Sequence, residues 1–224
     1  MASKPPGILS LVLWPALLTL VITIVRLLGE VNGWSPAVFG APEAGGGKAW
    51  FGISWLIFVF GLWFGIRLQK AGCGPRARGK ALVLSLVAIG VLFGGMAGLQ
   101  AADLMWFPDA EHPGEPRGLQ WMFVLIGCAS VVAAIAFWRV ALVLLVYAIL
   151  ARVPVVVVTW LAFGKSEWNT HYTKIPPFFT NIADADRLGF LIMPQLTFWP
   201  GLTIVMGTAM ACLGALLVGQ RGAK

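Results

Sequence analysis

Residues that carry chemistry are scarce in this chain. Two histidines, three cysteines and nine acidic residues are spread over 224 positions. No Cys-x-x-Cys occurs, so structural zinc, iron–sulfur clusters and covalently attached haem lack their ligand patterns. Both histidines, His112 and His171, fall between long apolar runs. A b-type haem held across a bundle needs histidines within the runs themselves, so we read both as exposed loop residues. Gly-x-Ser-x-Gly and His-Glu-x-x-His are missing too, and with them two common signatures of hydrolytic catalysis. Gly45-Gly46-Gly47 is followed by Lys48-Ala49 rather than the Lys-Ser/Thr of a phosphate loop; it reads as a flexible approach to the next apolar run. Cys73 lies in a basic loop, while Cys128 and Cys212 lie inside apolar runs. No disulfide between outer loops is therefore expected.

Charge is equally short. Charged residues make up 11% of the chain, against about 25% in soluble domains. Hydrophobic residues make up 59%, and mean hydropathy is +0.86. A soluble fold of this size cannot hide that much apolar surface, so the bilayer must act as part of the solvent.

What the chain does have is long apolar runs. They fall at 8–28, 49–68, 81–102, 119–138, 140–163 and 188–219; the first five are near the 20 or so residues a helix needs to cross the hydrocarbon core, and the last is longer, with Pro194 and Pro200 making its entry irregular. The first is too long for a secretory leader and lacks a small-residue cleavage pattern after it, so it reads as a retained span. The stretch 119–164 holds 46 nearly unbroken apolar residues. As one helix it would be about 69 Å long, more than twice the core thickness. It reads as two spans with a break at Trp138-Arg139. A single tilted span with an interfacial segment is the competing parse, and it would move the C-terminus outside. The expected architecture is all-α: one domain over 1–224, a polytopic bundle of about six transmembrane helices.

Charge then fixes the orientation. If six spans alternate, Glu30, Glu43, Asp103, Asp109, Glu111, Glu115, Glu167, Asp184 and Asp186 all fall in the outer loops 29–48, 103–118 and 164–187. The opposite face receives Lys4, Arg67, Lys70, Arg76, Arg78, Lys80, Arg139, Arg221 and Lys224 with no acid. By the positive-inside rule both termini are cytoplasmic, in a multi-pass protein of the bacterial inner (cytoplasmic) membrane. The net charge of +7 is accounted for by these short loops, and no nucleic-acid partner is expected. Trp34, Trp50, Trp106, Trp121, Trp160 and Trp168 gather at the outer boundary and Trp138 at the inner one, as interfacial anchors do. The segment 165–187 is amphipathic enough to lie along the membrane surface.

Small residues mark packing faces. Gly61 and Gly65 make one step. Gly90, Gly94 and Gly98 make a longer ridge, and Gly207, Ala211, Ala215 and Gly219 another. Such spacing lets two helix backbones approach closely, within the molecule or against a partner.

One residue stands out chemically. Arg152 lies midway along the fifth span, two residues before Pro154. A charge there costs at least about 2.5–3.5 kcal/mol on insertion scales, so it should face protein, water or a bound anion. Pro154 frees the carbonyl of Leu150 as a possible partner; Asp103 and Glu30 are others. Arg26 is placed to pair with Glu30 four residues on. Asp184 and Asp186 read as a solvated helix start rather than a magnesium pair. Arg76, Arg78 and Lys80 would each attract an anionic headgroup by about 1 kcal/mol, but orientation explains them equally well and no ligand is attached to them here.

No catalytic residue, metal site or cofactor of its own is expected. The expected function is a non-catalytic integral subunit of a larger membrane complex, respiratory or photosynthetic. It would give support and docking, with lipid, quinone or pigment contacts at its periphery. Its partners would be membrane lipids, other membrane subunits and a peripheral protein on the outer face. A small transporter or channel with a site near Arg152 is the alternative; a lipid-modifying membrane enzyme ranks third.

Overall fold

The structure is a computed structural model that describes residues 6–40, 51–107, 116–165, 167–176, 179 and 182–218. Lys4, Glu43, Gly45, Gly46, Gly47, Lys48, Trp50, Asp109, Glu111, His112, Glu115, Gly219, Arg221 and Lys224, with the readings made of them above, lie outside the described residues. Among the described residues the regular elements are all helical, and one isolated antiparallel bridge joins Trp106 to Arg117.

Helix α1 (Ile8–Val31) passes through Pro15 without interruption. Thr19 and Thr23 turn their hydroxyls back onto the carbonyls of Pro15 and Thr19, at 2.8 and 2.9 Å. That satisfies polar side chains where water is absent. A single turn, α2 (Pro36–Phe39), follows. Helix α3 (Leu56–Lys70) starts at Leu56 rather than at 49, because 51–55 form bends and turns. Helix α4 (Arg78–Ile89) continues through a π turn (Gly90–Gly94) into α5 (Gly95–Ala101). Glycines lack the side chains that would crowd such a wide turn.

Helix α6 (Leu119–Phe163) is 45 residues long but leaves helical geometry at Phe137, with φ −154° and ψ 75°. The break expected at Trp138-Arg139 thus falls one residue earlier, and the last helix, α8 (Phe198–Leu217), shows what it does. Ile126 would meet a side chain grown on Gly201, and Ser130 Oγ lies 3.5 Å from the Gly201 carbonyl. Arg152 lies over Trp199. In a straight helix Ile126 and Arg152 would be about 39 Å apart. Here they touch residues two positions apart on one helix. The two limbs of α6 therefore lie side by side, and Phe137 is the point where the chain doubles back.

The last apolar run is two helices: α7 (Asp184–Leu196) and α8 (Phe198–Leu217). They meet at Thr197, where φ is −122° and ψ −72°. The run expected at 188–219 as one span is thus interrupted between Pro194 and Pro200, each of which removes a helical donor.

Helix α8 is the hub. Gly61 of α3 lies against Gly207, and Gly65 against Ala211, so α3 and α8 run in the same direction. Helix α4 runs the other way: Arg78 bonds the Ala215 and Val218 carbonyls at 3.2 and 2.8 Å, while Leu92 shares a cluster with Val205. Arg78 thereby supplies donors and positive charge to the carbonyl end of α8. Helix α1 follows the second limb of α6, from Thr19 beside Tyr147 to Leu27 beside Val155 and Val158. The main core is built from Leu11, Phe60, Phe64, Val140, Leu144 and Tyr147.

Among the described residues, four helical stretches are long and apolar enough to cross a membrane: Ile8–Val31, Arg78–Ala101, Leu119–Phe163 and Asp184–Leu217. Their outward faces are apolar too. Leu9 and Ile135 are each 70% exposed and Trp14 69%. Only 17% of the Arg78–Ala101 window is buried in the molecule. Apolar surface on that scale is stable against lipid and not against water. This is a membrane protein.

Candidate functional site

Arg152 is buried, with 6% of its surface exposed. Its Nη1 donates to Gln195 Oε1 at 3.1 Å. Its guanidinium sits 4.4 Å from the centre of the Trp199 ring, a cation–π contact strengthened where water is excluded. The hydroxyls of Tyr147 and Tyr172 are its other electrostatic neighbours. Among the described residues neither the Leu150 carbonyl nor a carboxylate takes its charge: the partners are a neutral amide and an indole face. Both come from the α7–α8 junction, on either side of the break at Thr197. Tyr147 continues the polar seam inward. Its hydroxyl lies 2.9 Å from Thr19 Oγ1, while Phe60 and Phe64 meet its ring edge to face.

At the acidic end of α1, Glu30 is enclosed, with its side chain 1% exposed. Arg26 Nε donates to Oε1 at 3.0 Å, the i,i+4 pair expected from spacing. The backbone N–H of His171 donates to Oε2 at 2.8 Å, and His171 Nδ1 lies 2.6 Å from Oε1. A carboxylate can only accept there, so Nδ1 carries the proton. His171, read from sequence as exposed, is in fact 15% exposed at its side chain. It sits in a helical turn (His171–Thr173), stacked on Tyr172 with ring centres 3.9 Å apart. Burial lowers its pKa below the ordinary value near 6.5; the hydrogen bond to Glu30 opposes this, and the Arg26 charge reinforces it. The cluster ties the segment before α7 to α1.

Asp184 and Asp186 occupy the first turn of α7, where the helix dipole favours acids. Asp184 bonds Arg187 at 3.2 Å and is open to solvent. Among the described residues no group of three or more His, Cys, Asp or Glu side chains is placed to hold a metal ion.

The small residues divide into two sets. A side chain on Gly61 would sit 2.6 Å from the Gly207 carbonyl oxygen, and one on Gly65 would sit 2.5 Å from Ala211 Cα. Ala211 and Ala215 are buried, and Leu144 closes over Gly207. These residues lie inside the bundle. Gly90, Gly94 and Gly98 lie outside it: all three are exposed, and a Cβ on any of them would meet nothing within 4 Å. The ridge on α4 and α5 has no neighbour among the described residues.

Compared with family models, with curated proteins and with solved structures, the chain finds no match in any of the three.

Proposed function

We propose that the chain is a six-span bundle of the bacterial inner membrane with both termini cytoplasmic. We propose further that it serves as a non-catalytic integral subunit of a larger, energy-transducing complex. The doubling back at Phe137, which divides α6 into two limbs, supports the count of six; α3, at 15 residues, is shorter than the run expected at 49–68. Orientation rests on the bases: Arg67, Lys70, Arg76, Arg78, Lys80 and Arg139 cluster at the end where α3 stops, α4 starts and α6 turns, as the positive-inside rule requires.

The observation that carries the subunit reading is the open ridge of Gly90, Gly94 and Gly98. Three glycines at four-residue spacing cost a helix about 1 kcal/mol each relative to alanine. Elsewhere in this bundle such steps receive a neighbouring backbone. On α4–α5 no described residue fills that place, and another chain would supply the neighbour. The test is purification from the native membrane in mild detergent. The wild type should elute with companion proteins, and lipid, quinone or pigment should appear by mass and absorbance. Gly94→Leu should fold but elute without companions. A wild type that elutes alone under the mildest conditions contradicts the reading.

The second reading, a small transporter or channel, is favoured by the Arg152–Gln195–Trp199 contact at the α7–α8 break. A buried cation beside an interrupted helix is how some transporters meet an anionic solute. Arg152→Leu separates the two readings. Loss of companions or bound lipid supports the subunit; normal assembly with loss of solute uptake in liposomes supports the transporter. The third reading, a lipid-modifying enzyme, would require Asp184→Asn or Asp186→Asn to abolish a lipid product.

A further inference from the structure

At the basic end, the loop between α3 and α4 and the turn of α6 line an open cleft of about 600 Å³. Three bases line it: Arg76, Lys80 and Arg139. No acid lines it, and Arg76 and Lys80 have no ion-pair partner among the described residues. Arg139 lies 5.3 Å from the centre of the Trp138 ring, which holds it at the cavity edge. The N-terminus of α4 opens on the same space with no side-chain cap, adding its partial positive charge. Part of the lining is apolar. Leu84, Ile135 and Trp138 line the cavity and are 37%, 70% and 59% exposed on the outer surface of the bundle.

We propose that this cavity holds the phosphate headgroup of an anionic phospholipid, with the acyl chains running along Leu84, Ile135 and Trp138. Three converging cations without a counter-charge call for an anion. The space is many times larger than a free phosphate ion needs, and it opens onto surface that faces hydrocarbon. Basic pockets between helices on the cytoplasmic side suit such headgroups. The break at Phe137 builds the site, because it places Trp138 and Arg139 beside a loop more than fifty residues away in sequence. The proposal rests on the membrane reading and not on the subunit reading, since it concerns the isolated chain.

The test is native mass spectrometry of the purified chain titrated with short-chain phosphatidylglycerol, with zwitterionic phosphatidylcholine as the net-neutral reference. Wild type should prefer phosphatidylglycerol by at least about tenfold. At about fivefold per base, Arg76→Gln/Lys80→Gln/Arg139→Gln should weaken that binding by about 100-fold. Lys80→Glu alone, a milder change that guards against misfolding of the triple variant, should weaken it by more than about tenfold. Lys70→Gln removes a base from the same end but outside the cavity, and should bind like wild type. Triple-variant binding at wild-type strength would overturn the site. Equal affinity for the two lipids would overturn the headgroup assignment. Displacement of the lipid by inorganic phosphate at matched concentration would overturn the acyl-chain wall.

Discussion

Gly65→Ala and Gly98→Ala are the same chemical change on the same kind of helix, and the structure assigns them opposite effects. On Gly65 the new methyl carbon would lie 2.5 Å from Ala211 Cα and 2.6 Å from its carbonyl carbon. Carbon atoms in contact settle at about 3.5–4.0 Å, so α3 must move away from α8 by about 1 Å. The obstacle is backbone, which cannot rotate aside as a side chain can. Overpacking of this kind costs about 1–3 kcal/mol, offset in part by up to about 1 kcal/mol from the better helix propensity of alanine. On Gly98 nothing lies within 4 Å, so only the propensity gain remains. The two variants should differ by about 2 kcal/mol. With about 2–4 °C per kcal/mol for a chain of this length, their melting temperatures should separate by about 4–8 °C, Gly98→Ala above wild type and Gly65→Ala below. Gly61→Ala/Gly65→Ala should cost less than the sum of its parts, because one displacement of α3 relieves both contacts. Thermal melting of the isolated chain in detergent measures all of this. If Gly65→Ala melts with or above Gly98→Ala, the close approach of α3 and α8 is wrong.

Two further predictions concern polar groups. Unfolded histidine gains its proton near pH 6.5, whereas folded His171 gains it only at lower pH. Between those values the unfolded chain binds more protons, so stability should fall as the pH drops from 7.5 to 5. His171→Asn, which keeps a donor for Glu30 but does not titrate, should flatten that dependence in detergent melting curves; an unchanged slope would show that another group sets it. Among the described residues Thr208 Oγ1, buried in α8, has no hydrogen-bond partner, and an orphaned polar group costs about 1–3 kcal/mol. Thr208→Val has nearly the same shape and should raise the melting temperature; a lower value would mean that the hydroxyl is bonded in the folded protein.

Local and periodic features were legible in the sequence. The length of the run 119–164 required a break and hydropathy placed it within a residue of Phe137, although no Gly or Pro marks it. The Arg26–Glu30 pair followed from helical spacing alone. Partners far apart in sequence were not legible. His171 and Glu30 are 141 residues apart, and Arg152 and Gln195 are 43. Hydropathy reports which residues leave water but not which helix faces which. The same limit applies to the glycines: the steps at Gly61 and at Gly90 look alike in sequence, and only the packing separates a filled groove from an open ridge. The basic cavity was hidden for a related reason, since its Arg139 reaches Arg76 and Lys80 only through the turn at Phe137.

That turn is where the account is most exposed to a single test. A Gly72→Cys variant, in the basic loop beside that turn and in a background without Cys73, Cys128 and Cys212, should react with a membrane-impermeant maleimide only after the cells are opened. Labelling of residue 72 in intact cells would place the basic loop and the bend of α6 on the outer face, and the cytoplasmic assignment would fall with it.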